Sequence, residues 1–261
     1  MIHDPARPTP TQAAGNIAVM IRRELLATLR KPTLLVLVFV QPLMLILMFR
    51  YVFGGAIRTP NGSYVNYLVP GLLVLTAVFG SLVTCIGLSQ DLARGMIDRL
   101  RSLPMAPSAV LVGRTLSDLV RNVASLAVMF AVAVLIGFRP DQPVVSVVGA
   151  MALLLGFSYV FSWISATVAL LVRDPETAQS AGLVWAFPLT FASSAFVPTH
   201  SMPGALRTFA QVNPITLCAN AVRALTIGGD ATGAVLGTAV WFAGLMLIFV
   251  PLAVGRYRAL R

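Results

Sequence analysis

Asp91, Arg94, Asp98 and Arg101 recur at i, i+3, i+7 and i+10, so a single helix would carry all four on one face. Leu92, Met96 and Leu100 fall on the opposite face, with Ala93 and Ile97 beside them. The signs alternate, which allows ion pairs worth about 0.2–0.5 kcal/mol each. Pairs that weak do not account for six ionised side chains gathered between Gln90 and Arg114. The pattern predicts a short helix with one face on lipid head groups and the other turned to the cytoplasm. Its chemistry is docking, not catalysis.

The catalytic alternatives lack their residues. A phosphate-cradling Gly-x4-Gly-Lys-Ser/Thr loop is absent, and Lys31 is the only lysine in the chain. No His-Glu-x-x-His, Cys-x-x-Cys or Gly-x-Ser-x-Gly occurs, and His3 and His200 have no metal-ligand company. Cys85 and Cys218 are too few for a disulfide framework and read as small apolar core residues.

The elements that must position the docking face lie in a bilayer. Only 11% of residues are charged, while 57% are hydrophobic. Six stretches lack Asp, Glu, Lys and Arg: Pro32–Phe49, Thr59–Gln90, Asn122–Phe138, Gln142–Val172, Thr177–Leu206 and Ala231–Gly255. A hydrocarbon core of about 30 Å takes roughly 20 apolar residues in a helix, and a charge at its centre costs about 3 kcal/mol. Spans are expected at 33–53, 68–88, 119–138, 144–172, 178–197 and 233–254. No Asp or Glu falls inside them, which argues against a proton relay.

The net charge of +10 follows from topology and is no nucleic-acid footprint. With the N-terminus inside, the inner segments receive fourteen of the nineteen Lys and Arg residues, and the outer side receives Arg50, Arg58, Arg139, Arg207 and Arg223. The positive-inside rule then puts both termini in the cytoplasm. Residues 1–32 form a cytoplasmic N-terminus, and 255–261 a cytoplasmic tail.

Three further segments have their own signatures. In Asn16–Arg30, Ile17, Ile21, Leu25 and Leu29 make an apolar stripe with Arg23 and Arg30 off it, the pattern of a helix lying in the membrane surface. Gln41 and Pro42 fall near the middle of the first span, where polar groups face protein or a cavity. Pro104 and Pro107 end the docking helix, Ser108 caps the next one, and Arg114, Asp118 and Arg121 form a stripe ahead of the third span. Between the fifth and sixth spans, Pro203 suits the first turn of a short helix. Asn213-Pro214 reads as a cap and first residue of a second, with Leu217, Ala221 and Leu225 on one face and Gly228-Gly229 at its end. Both helices are expected to dip into the outer leaflet.

The chain resembles the type-2 ABC export permeases, within them the daunorubicin-resistance-like branch. The resemblance is carried by "QPLMLILMFRYVFGG", "YVNYLVPGLLV", "ARGMIDRLRSLPMAPSAVLVGR" and "FVPTHSMPGALRTFAQVNPITLCANAVRAL", in that order. In the third, Gly95, Asp98, Arg99, Leu100, Arg101 and Pro104 stand at the family's hallmark positions, with Asp98 where Glu is commoner. The resemblance implies an all-α polytopic membrane protein with six transmembrane helices, an N-terminal interfacial elbow helix, a cytoplasmic coupling helix and an outer re-entrant helical hairpin between spans five and six. It further implies a plasma-membrane exporter subunit that pairs with a second permease, identical or homologous. Two copies of a cytosolic ATPase would bind ATP and Mg, and this chain would hold no cofactor of its own. Arg23, Glu24, Asp91, Arg94, Gly95, Asp98, Arg99 and Arg101 would couple to the ATPase. Phe39, Gln41, Trp185 and Phe187 are candidates for the substrate path, and Pro203, Asn213 and Pro214 shape the outer segment. The substrate would be a hydrophobic or amphiphilic drug, lipid or glycolipid. The alternative is a multi-span scaffold or assembly factor that transports nothing itself.

The topology is open to direct measurement. A cysteine at position 102 is expected to resist a membrane-impermeant thiol reagent in intact cells and to react after permeabilisation. Strong labelling of intact cells would invert the assignment.

Overall fold

The computed structural model describes residues 40, 43–49, 51, 64–95, 107–172 and 174–259. All regular elements among them are helical. They are α1 (Tyr64–Ala93), α2 (Pro107–Ile136), α3 (Val144–Val172), α4 (Pro175–Phe191), a single 3-10 turn (Thr199–Ser201), α5 (Gly204–Val212), α6 (Pro214–Ile227) and α7 (Ala231–Ala259). Residues 43–48, inside the first expected span, are helical as well. The expected interfacial helix at Asn16–Arg30 lies outside the described residues.

Among the described residues, four helices are long and apolar enough to cross a bilayer: Tyr64–Ala93, Leu111–Ile136, Val144–Val172 and Ala231–Tyr257. At 1.5 Å per residue a thirty-residue helix is about 45 Å long, so it outreaches the hydrocarbon at its ends. α3 matches its expected bounds, and α7 runs on through the expected tail to bury Tyr257. α2 starts at Pro107, ahead of the expected cap Ser108, because a proline's fixed φ and missing N–H suit the first helical turn.

α1 and α3 form the central pair, with α2 and α4 against α1 and α7 against α3. Lipid tails are as apolar as leucine, so helices in a membrane associate by close packing and hydrogen bonds. α1 buries a small residue at successive turns, Ala77, Ser81, Cys85 and Ser89, with Ser81 meeting α3 and Cys85 the Ala178 carbonyl of α4. Ser158, Ser162 and Ser165 answer from α3, and the Ser81 and Ser165 hydroxyls meet at 3.3 Å. Ser89 and Ser162 return their hydroxyls to the carbonyls of Cys85 and Ser158, one turn back, so neither proton is stranded. Larger side chains, including Leu72, Leu154, Phe157 and Phe161, fill the core toward one end, and Leu88, Leu111, Trp163 and Tyr257 toward the other.

The fifth expected span departs from its reading. α4 opens on Asp174, whose carboxylate accepts from the Thr177 hydroxyl and amide at 2.6 and 2.8 Å, bonds that hold it below the usual carboxylate range. The helix then stops at Phe191, well before residue 197. Ser193–Phe196 form a buried turn instead. The chain can leave the helix there because Asn213 donates to the carbonyls of Leu189 and Ala192 at 2.7 and 2.9 Å, satisfying groups that a longer helix would have satisfied itself.

α1 approaches this turn without a side chain between them. A Cβ on Gly71 would collide with the Ala195 carbonyl, which is backbone and has no rotamer to yield. Gly71→Ala is therefore expected to destabilise the purified protein by about 1–3 kcal/mol, the range for overpacking. Thermal unfolding in detergent checks it, and an unchanged midpoint would mean that the turn is soft.

Candidate functional site

The stripe of charges on α2 is part of a buried lattice. Asp118 is 2% exposed and sits inside a candidate span, although the sequence places it just ahead of one. Its carboxylate accepts from Arg121 Nη1 at 2.8 Å and from the Thr84 hydroxyl of α1 at 2.5 Å, and Arg114 Nε lies 3.7 Å away. Arg114 donates to Asp91 of α1 at 2.6 Å, and Arg121 Nη2 to the Gly80 carbonyl at 3.3 Å. Two carboxylates and two guanidiniums thus join α1 to α2. Asn122, one residue on, donates to Ser158 of α3. Removing one member of such a set strands a charge at low dielectric, which costs several kcal/mol.

The same lattice revises the expected docking helix. α1 ends at Ala93, and Gly95 takes a φ of 64°, a left-handed turn that side chains resist. Arg94 and Gly95 close the helix through amide bonds to the carbonyls of Gln90 and Leu92. Asp91 and Arg94 thus belong to the end of α1, and the face they were expected to share with Asp98 and Arg101 is interrupted at Gly95. Arg94 is exposed and Asp91 half-buried. Arg23, Glu24, Asp98, Arg99 and Arg101 lie outside the described residues.

At the other end of the bundle, Arg223 of α6 is 8% exposed. Its Nε donates to the Tyr67 carbonyl at 3.0 Å. Nη1 donates to the Ser194 hydroxyl and Asn220 Oδ1 at 3.1 and 2.8 Å, and Nη2 to the Ser194 and Ala195 carbonyls at 2.6 and 3.2 Å. A guanidinium has five N–H donors, and each of them has a partner here. The cation also lies 3.9 Å over the Tyr67 ring, a cation–π contact. Tyr67 in turn donates to the Ser194 carbonyl at 2.9 Å, and Tyr64 to Phe196 at 3.4 Å.

Between α4 and α7 the chain breaks at Pro203 and at Asn213-Pro214. Pro203 is the cap residue of α5 rather than part of its first turn. Asn213 caps α6 through Oδ1, which accepts from the Ile215 amide at 2.9 Å, with Pro214 first in the helix and Gly228 closing it at a φ of 96°. The two helices differ in burial. α5 buries only Ala210 and leaves Leu206, Phe209 and Val212 exposed. α6 is enclosed by α1, α3 and α7; Ile215, Cys218, Ala219 and Val222 belong to the core, and Leu225 of the expected face packs against it while only partly buried.

The path candidates on α4 point in different directions. Trp185 is partly buried against Phe161 of α3, 5.6 Å between ring centroids. Phe187 is 45% exposed, stacks on Phe191 at 5.5 Å and meets Phe79 of α1 edge-on at 5.8 Å. Two residues on a helix are about 200° apart, which separates them. Phe39 and Gln41 lie outside the described residues. Between α1 and α2, reaching Leu45, lies a cavity of about 100 Å³ with Arg121, Asn122 and Ser125 at its polar end.

The lattice and the Arg223 cluster were missed for one reason. Each depends on partners far apart in sequence, such as Thr84 with Asp118 and Tyr67 with Arg223. For Arg223 the available signal was a cation isolated in an apolar segment, which reads equally well as a surface charge; for the lattice it was the Arg114, Asp118 and Arg121 stripe, whose partners on α1 the sequence does not name.

Comparison with known proteins adds two findings. The family described as ABC-2 type transporter matches residues 15–227. Over 255 residues the chain is 34% identical to the daunorubicin resistance ABC transporter permease protein DrrB1 of Streptomyces coeruleorubidus, covering 97% of this chain and 89% of that one. It is 28% identical over 222 residues to the "Probable doxorubicin resistance ABC transporter permease protein DrrC" of Mycobacterium tuberculosis, covering 84% and 80%.

The Arg223 cluster makes a graded expectation. A lysine has three donors for five acceptors, and a methionine has none. Each buried acceptor left without a donor costs about 1–3 kcal/mol. Arg223→Met is expected to lower the thermal midpoint by more than about 5 °C, and Arg223→Lys by an intermediate amount. A lysine variant as stable as the parent would show that charge alone suffices.

Proposed function

Because the chain belongs to the ABC-2 type transporter family, we propose that it is the membrane-spanning permease subunit of an ATP-driven exporter, moving a hydrophobic or amphiphilic drug, lipid or glycolipid out across the plasma membrane. The observation that carries this reading is the match along 97% of the chain to a drug-resistance permease, in a sequence without a nucleotide-cradling loop. Energy then has to come from a partner. Two copies of a separate cytosolic ATPase bind ATP and Mg, and two permease subunits, identical or homologous, form the membrane unit.

In this reading both termini are cytoplasmic and the spans occupy 33–254. The N-terminal surface helix with Arg23 and Glu24, and the segment Asp91–Arg101 with Arg94, Gly95, Asp98 and Arg99, receive the push of ATP-driven closure. The ion-paired join between α1 and α2 supports this, since these are the two helices that flank the docking segment in the chain. Of the path candidates, exposed Phe187 is better placed for passing substrate than Trp185, which packs on α3. Phe39 and Gln41 would contribute from the first span. The outer segment shaped by Pro203, Asn213 and Pro214 closes the outer end of the path and moves when substrate leaves.

Docking and insertion are separable by charge reversal. Asp98→Arg combined with Arg99→Asp is expected to leave the protein inserted while reducing the yield of co-purified ATPase several-fold. Substrate-stimulated ATP hydrolysis should fall with it. Parental values for both would make the segment a linker. Failure of the parent chain itself to bring down an ATPase would favour the scaffold reading.

A further inference from the structure

The cavity between α1 and α2 has opposite chemistry at its two ends. Gly80 and Arg121 lie at one end, and Leu72, Leu75 and Met129 at the other, about 12 Å further along α1. Its enclosed volume of about 100 Å³ takes a head group and the first few carbons of a chain, and its open side leaves room for the rest of a tail. Among the described residues, Arg121 is the one charged side chain on its wall. Asp118, the partner of Arg121, does not reach the wall. The lattice therefore presents a cation to this space and keeps its carboxylates behind.

Arg121 also has capacity left. Of its five donors, one meets Asp118 and one meets the Gly80 carbonyl, the latter at a long 3.3 Å. Nε has no partner among the described residues, and the side chain is 14% exposed. Asn122 uses one amide proton on Ser158 and has a second beside the same space. Donors cluster at one end, and hydrocarbon lines the other.

We propose that this cavity binds an amphiphile by its oxyanion head, a phosphate or carboxylate seated on Arg121 and Asn122 with the apolar tail running along Leu72, Leu75 and Met129. Guanidinium groups bind such heads through paired N–H donors, with stronger bonds than neutral donors make. A cationic amphiphile meets Arg121 and is repelled. The exporter reading enters only in making the bound molecule a cargo; the site itself stands on the lining.

The test uses the full-length chain in a non-ionic detergent and a dansyl-labelled dodecyl phosphate as probe. Saturable binding is expected, competed by dodecyl phosphate and dodecanoate. Inorganic phosphate, which lacks a tail, and dodecyltrimethylammonium, which has the wrong charge, should not compete. Arg121→Gln should weaken binding at least tenfold. Ser125→Leu fills the cavity without touching an ion pair, so it should weaken binding equally while the protein keeps its thermal midpoint. Parental affinity in Ser125→Leu, or equal competition by the alkylammonium, would overturn the site. Inverted vesicles containing the chain and its ATPase separate the sources: ATP-dependent uptake of the probe identifies a cargo, and retention independent of ATP identifies a resident lipid, both with the oxyanion site intact. Binding without uptake of any amphiphile would count against the exporter reading alone, and uptake with binding lost would count against the site alone.

Discussion

Arg223 is a cation buried inside the bundle, and its five donors end on five oxygens. Three of those oxygens are backbone carbonyls, from Tyr67, Ser194 and Ala195. A carbonyl buried away from water needs a donor, and a helix normally supplies it from its own next turn. Where α4 stops at Phe191, that supply ends. Arg223 and Asn213, both from beyond the break, replace it. The irregular turn, the capped start of α6 and the close approach of α1 at Gly71 meet at this one place.

The opposite end solves a related problem with charges of both signs. Asp118 would be costly alone at its depth, and so would Arg114 or Arg121. Held against Thr84 and Asp91 they become a join of α1 to α2. Between the two polar clusters α1 buries serines, alanine and cysteine, which add little beyond close contact. The polar cross-links among the described residues thus gather toward the two ends of the bundle.

The outward faces are apolar in a different sense. Leu236, Val240, Leu247 and Ile248 of α7 are exposed, as are Leu135 of α2 and Val184, Phe187 and Phe191 of α4. In water such surface would drive aggregation; against lipid it is the expected finish. α5 belongs to the same class, with three apolar side chains exposed on a nine-residue helix. α6, by contrast, is interior, although the two helices look alike as strings of residues.

What the sequence determined by itself is whatever depends on length, local charge or a single residue's backbone preference. Long uncharged runs became α1, α3 and α7 because hydrocarbon thickness sets a minimum length. Asn213-Pro214 and Gly228 became helix boundaries because caps and left-handed turns are local. Cys85 and Cys218 proved to be buried free thiols, as their apolar neighbours suggested. Tertiary structure alone decided where polar groups find partners. Nothing within a few residues of Asp118 announces Thr84, and nothing near Arg223 announces Tyr67 or Ser194, since those pairs form only when separate helices pack. The end of α4, the burial of α6 and the parting of Trp185 from Phe187 follow from that packing. A hydrogen bond between distant segments leaves no periodicity to read, whereas a span or a cap does.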